Sequence, residues 1–244
     1  MKSSTFSIGW IVQLLCAAVI ALPALGQSAS QPAATAKPKP EYDMGRVQLM
    51  LLYSVPGGRA PPEKTFTDHR TRIKELLDSG QAALAGSTSG AGPLSELLVF
   101  KTESADTARD LTASLPLVHA GLLKPELLTW YTARNVIKTP ATPAAETRYI
   151  FGLLVRGPKS TNEVTDESRK IQEGHMANIN RLAEAGKLVL AGPFADGGHR
   201  RGVFIFKVDT IEEAKALCDT DPAVQAGRLT VELYRWTVPA GILP

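Results

Sequence analysis

The residues of this chain that could do chemistry are few, and two of them recur. His175 belongs to a run in which Ile171, His175, Ile179 and Leu182 follow at steps of four, four and three residues. On a helix that spacing puts all four on one face, turned toward the body of the fold. An imidazole placed there, with an ordinary pKa of about 6.5, can take or give a proton near neutrality. His69 holds the same place on a stripe with Phe66, Ile73 and Leu76. Both histidines are equally what a core helix holds when its imidazole only packs. Asp221 precedes Pro222 and a short Ala-Val-Gln-Ala-Gly run, the pattern of a helix start with Asp as N-cap and Gly227 at the stop. Arg156 ends a strand, where it either meets an anionic ligand or stands solvated.

Other patterns exclude chemistry. His119 and His199 are isolated, no H-x-H or H-E-x-x-H spacing occurs, and no cysteine accompanies the histidines, so no metal is expected. Gly197-Gly198 is followed by neither a helix nor Lys-Ser/Thr, and reads as a hairpin turn, not a phosphate loop. There is no Gly-x-Ser-x-Gly element, and no cofactor is expected.

The elements that position these residues come in two copies. Residues 66–130 are echoed by 172–236 at a constant offset of 106: His69 meets His175, Gly80 meets Gly186, Ala85-Gly86 meets Ala191-Gly192, Phe100-Lys101 meets Phe206-Lys207, and Trp130 meets Trp236. In the second copy, apolar alternation and turn residues predict strands at 148–155, 188–191, 202–208 and 229–238. Helices are predicted at 168–185 and from Thr210, with Glu213 completing a capping-box pattern, to near Cys218. The first copy repeats the order at 47–54, 66–80, 82–85, 96–101, 105–114 and 127–133. The fold class is therefore α+β, two ferredoxin-like βαββαβ modules. Two long helices cover only one face of a four-stranded sheet, so each module needs a partner for its other apolar face. The partner is in the chain: the copies are expected to pack sheet to sheet as an intrachain pseudo-dimeric α/β barrel. The expected boundaries are a first module at 44–135, a linker at 136–146, a second module at 147–238 and a tail at 239–244.

The first 26 residues belong to a different class. Lys2 precedes an apolar run at 8–22, and Pro23-Ala24-Leu25-Gly26 offers small residues at −3 and −1, the layout of a secretory signal cleaved before Gln27. Residues 27–43 then read as a disordered tether. The expected location is periplasmic or secreted, with no stable membrane insertion after cleavage. Loss of Lys2 leaves 26 Lys and Arg against 24 Asp and Glu, and no basic stripe, so no nucleic-acid partner is expected. Loss of Cys16 leaves Cys218 alone, a buried structural thiol on a helix.

The stretch from His175 to Pro193, the turn at Gly197-Gly198, Phe206, the Ile211-Glu-Glu-Ala run, Asp221-Pro222, Ala226-Gly227 and Trp236 together resemble the YCII-related domain family. The resemblance covers 147–238 and, more weakly, 46–133. It implies the dimeric α/β-barrel superfamily, a small organic ligand, and a His–Asp active pair at His175 and Asp221. His175 would be the general base or acid and Asp221 its support, in a lyase- or isomerase-type proton transfer, with His69 and Arg156 as further ligand contacts. The alternative is a non-catalytic binding or structural protein with core histidines. The position matching Asp221 in the first copy is Leu115, so a His–Asp pair is expected only in the second.

Overall fold

The computed structural model describes residues 42–57, 60–90, 92–138 and 145–244. The leader, nearly all of the 27–43 tether, Cys16 and the centre of the linker lie outside the described residues.

The first module runs β1 (Met44–Ser54), α1 (Glu63–Asp78), β2 (Ala82–Ser89), β3 (Leu94–Phe100), α2 (Ala105–Ala113), α3 (Pro116–His119) and β4 (Leu123–Ala133). The second runs β5 (Glu146–Arg156), α4 (Asp166–Glu184), β6 (Leu188–Pro193), β7 (Arg200–Phe206), α5 (Ile211–Cys218), α6 (Pro222–Gln225) and β8 (Leu229–Pro239). The eight strands form one sheet in the order β4-β1-β3-β2-β8-β5-β7-β6, with every pairing antiparallel. A bridge between Trp130 and Phe194 brings the two outer strands together, so the sheet nearly closes into a barrel.

Alternation along each strand divides the apolar residues between two faces. Val47, Leu49 and Leu51 of β1 face inward with Leu97, Phe151, Leu153, Val203, Trp130 and Trp236, and this shared interior joins both modules. Met50 and Leu52 face outward beneath α1, with Leu76, Leu98 and Phe100. Ile150, Phe204 and Phe206 do the same beneath α4 and α5. Cys218 is buried in this last cluster, where burial pushes its thiol up to about 12. The interior is filled by side chains, and Ile242 and Leu243 of the tail join it, with the Tyr149 hydroxyl donating to the Leu243 carbonyl at 3.2 Å. The space between the inner sheet faces is thus a packed core. Both modules contribute side chains to this core.

The repeated Gly and Trp residues make the two seams. At β2–β8, Ser87, Thr88 and Ser89 pair with Thr237, Trp236 and Arg235. A Cβ on Gly86 would lie 2.5 Å from Trp236 Nε1 and from the Thr237 carbonyl oxygen. At the other seam a Cβ on Gly192 would lie 2.1 Å from the Tyr131 carbonyl oxygen, and Trp130 Nε1 donates to the Gly192 carbonyl at 3.2 Å. Each Gly admits the strand and the indole of the opposite module.

One end of the interior carries a polar cluster that bridges the modules. Arg200 lies 2.9 Å from Glu232 and 3.5 Å from Glu126, residues related by the repeat offset. The Tyr53 hydroxyl donates to Glu126 at 2.7 Å and accepts from Arg200 at 3.2 Å. Burial and the neighbouring carboxylate push the Tyr53 phenol well up.

Candidate functional site

In the second module, α4 and α6 meet on the outer face of the sheet. Thr165 and Ser168 cap α4 in a two-way box, and the apolar stripe turns His175 toward β7. The ring stacks on Phe204, with centroids 6.0 Å apart. His175 therefore faces the helix-covered side of the sheet and not the barrel interior. Gly174 lets the two helices approach, because a Cβ there would lie 2.9 Å from Pro222 Cγ. That approach brings His175 Nδ1 to 2.8 and 3.0 Å from the two carboxylate oxygens of Asp221.

Asp221 has no exposed surface and is ringed by donors. It caps α6 by accepting from the Ala223 N–H at 2.8 Å, and Asn178 Nδ2 reaches it at 3.4 Å. Asn178 is itself held by Arg181 at 2.7 Å and Thr220 at 3.1 Å. Burial pushes the Asp221 carboxyl up, but the His175 hydrogen bond and charge, the Ala223 N–H and Asn178 outweigh it and hold the group below the usual carboxylate range. An ionised Asp221 can only accept, so the His175 Nδ1 carries a proton. Cap and histidine partner are one carboxylate.

The first module solves the same problem differently. Leu115 stands at the cap and offers no side-chain acceptor. The Leu117 N–H, the counterpart of that of Ala223, is met by His69 Nδ1 at 3.4 Å. Since an N–H can only donate, Nδ1 accepts and the ring proton sits on Nε2. That nitrogen lies 2.9 Å from Glu96 Oε2 of β3. The position matching Glu96 in the second copy is Gly202, where a Cβ would lie 2.5 Å from the Gly192 carbonyl oxygen. Each module thus pairs its histidine with a carboxylate, taken from the α6 cap in one and from the sheet in the other.

A cavity of about 920 Å³ opens beside His69, not beside His175. It lies at the β2–β8 seam, between α1, β3 and α3 on one side and Thr237–Pro239 with Glu146 on the other. His69 and Glu96 both line it. Arg156 meets neither histidine: its guanidinium donates to Asn162 at 3.0 Å and to the Ser160 carbonyl at 3.1 Å, tying down the loop after β5. His119 and His199 are exposed. Glu96, Asn178 and Gly174 were not legible as site residues from motif patterns. The offset that exposes Asp221 against Leu115 also exposes Glu96 against Gly202, and that comparison is the signal for the first of them.

Residues 153–237 match the YCII-related domain. The uncharacterized protein YjpA of Bacillus subtilis (strain 168) is 30% identical over 63 residues, which span 26% of this chain and 72% of that protein. Among solved structures, a mutant chlorite dismutase from Candidatus Nitrospira defluvii is similar with a TM-score of 0.52 at 12% identity, over 82% of this chain and 92% of that one. A heme-binding protein from Thermus thermophilus gives 0.50 at 12% identity, over 82% and 93%. At that identity the likeness is one of fold. With the domain match and the relative together, the chain belongs to the YCII-related domain family, and its nearly closed antiparallel sheet has the dimeric α/β-barrel fold.

Proposed function

We propose that the protein binds a small organic molecule and moves a proton on it with His175, in a lyase- or isomerase-type reaction. The observation that carries this is the fully buried Asp221 carboxylate at 2.8 and 3.0 Å from His175 Nδ1. With the ring proton held on Nδ1, the lone pair of Nε2 is the base. It would take a proton from a carbon made acidic by an adjacent carbonyl. Asp221 would stabilise the imidazolium, as the carboxylate does in a histidine-based triad. Return of the proton at a second carbon gives an isomer; departure of a neighbouring group gives an elimination. The His175 side chain keeps 13% of its surface exposed, so the ring is within reach of solvent.

Heme belongs to one of the structural neighbours, and the large cavity does not fit it here. His69, the histidine lining that cavity, has Nδ1 engaged by Leu117 and Nε2 by Glu96, which leaves no imidazole nitrogen for iron. The second reading, a purely structural pair, draws on the cap that Asp221 gives α6. A test separates the two. Small carbonyl compounds that bind the mature chain are incubated in deuterated water, and isotope uptake at carbon is followed by NMR. Uptake that disappears in His175→Ala is expected; equal uptake in both proteins removes the proton-transfer reading. The mature chain would act in the periplasm or outside the cell. A mass that begins at Gln27 in exported protein is the expected result, and an intact leader the contrary one.

A further inference from the structure

The cavity beside His69 is a built site whose chemistry differs from that of the His175 pair, and it stands independently of that pair's role. The backbone N–H of Leu117 fixes His69 as the neutral Nε2–H form, so the imidazole orients Glu96 without cancelling its charge. The His69 side chain is 3% exposed and that of Glu96 19%, so the carboxylate is largely withdrawn from water while still lining the cavity. A partly desolvated carboxylate oriented by a neutral donor selects a positive group.

Other groups of the lining bear on the same choice. Lys74 is taken by Asp78 one turn along α1, at 2.5 Å. The exposed Arg70 keeps its charge but lays its guanidinium over the Phe66 ring, 6.0 Å from the ring centre, on the open side of the cavity. Glu146 adds a second carboxylate from the far wall, and the Ser54 and Ser95 hydroxyls, hydrogen-bonded to each other, supply further oxygens. Ile73, Leu117 and Val238 give the apolar surface. We propose that this seam cavity is a binding site for a small organic cation, an alkyl- or arylammonium ion, whose N–H groups are received by the Glu96 carboxylate that His69 orients. Since Glu146 and Val238 come from the second module, the site is complete only in the paired barrel.

The probes are benzylammonium, benzyl alcohol and benzoate, which share a ring and differ in charge. Each is titrated into the isotope-labelled mature chain while backbone amide shifts are read. The expected order is benzylammonium tightest, the alcohol weaker by on the order of tenfold, and benzoate weakest. Glu96→Gln keeps the shape and removes the charge, and should abolish the preference of ammonium over alcohol. His69→Phe should weaken benzylammonium, and His69→Gln, which can still donate to Glu96, should recover part of the loss. His175→Ala should leave all three affinities unchanged. Benzoate binding as tightly as benzylammonium, no saturable shift at millimolar probe, or a preference that survives in Glu96→Gln would each overturn the assignment.

Discussion

A histidine and a carboxylate meet in each half of the chain, and the hydrogen that joins them sits on opposite ring nitrogens. In the second half Asp221 holds Nδ1–H; in the first, Leu117 occupies Nδ1 and Glu96 takes Nε2–H. The pH dependence of stability should report the second pair. Asp221 titrates below its unfolded value of about 3.9, so its contribution is complete above that pH and fades as pH falls through the lower folded value. Urea unfolding of wild type and Asp221→Asn should therefore differ most near neutrality and converge only as the pH falls below about 3.9. A gap that stays constant with pH would contradict the ionised pair. Asp221→Ala should cost more, roughly 3–5 kcal/mol, because His175, Asn178 and the Ala223 N–H all lose an acceptor in a buried place.

At the scale of elements, the seams depend on two glycines that carry no chemistry. Gly86→Ala and Gly192→Ala each push a methyl into backbone of the opposite module, a defect of about 1–3 kcal/mol. Melting temperatures should fall by roughly 2–4 °C per kcal/mol, and unchanged melting in both variants would mean that the seams are looser than described. Most elements were legible, because alternation and helical stripes survive in both copies. The strand ends were not. Gly45 and Pro125 interrupt the apolar pattern, yet β1 begins at Met44 and β4 at Leu123. Pairing with a neighbouring strand overrides local propensity there. Asp221 was legible as a cap, and the same carboxylate also hydrogen-bonds His175. Glu96 was not, since it lies 27 residues from His69 and only the sheet brings the two together. Nor was Arg200 legible, which reaches between Glu126 and Glu232 at the barrel end.

For the whole molecule, duplication supplies the barrel and divergence gives the two histidines different partners. The interior cluster draws on both modules, so neither half can bury it alone. Residues 145–244 expressed by themselves should form a symmetric dimer or aggregate, as light scattering would show; a stable, soluble monomer would contradict the shared core. The two histidines can then be compared within one molecule. In a nitrogen-15 imidazole spectrum of the protein, the neutral form of His175 is predicted to carry its proton on Nδ1 and that of His69 on Nε2. The same tautomer at both positions would contradict the account.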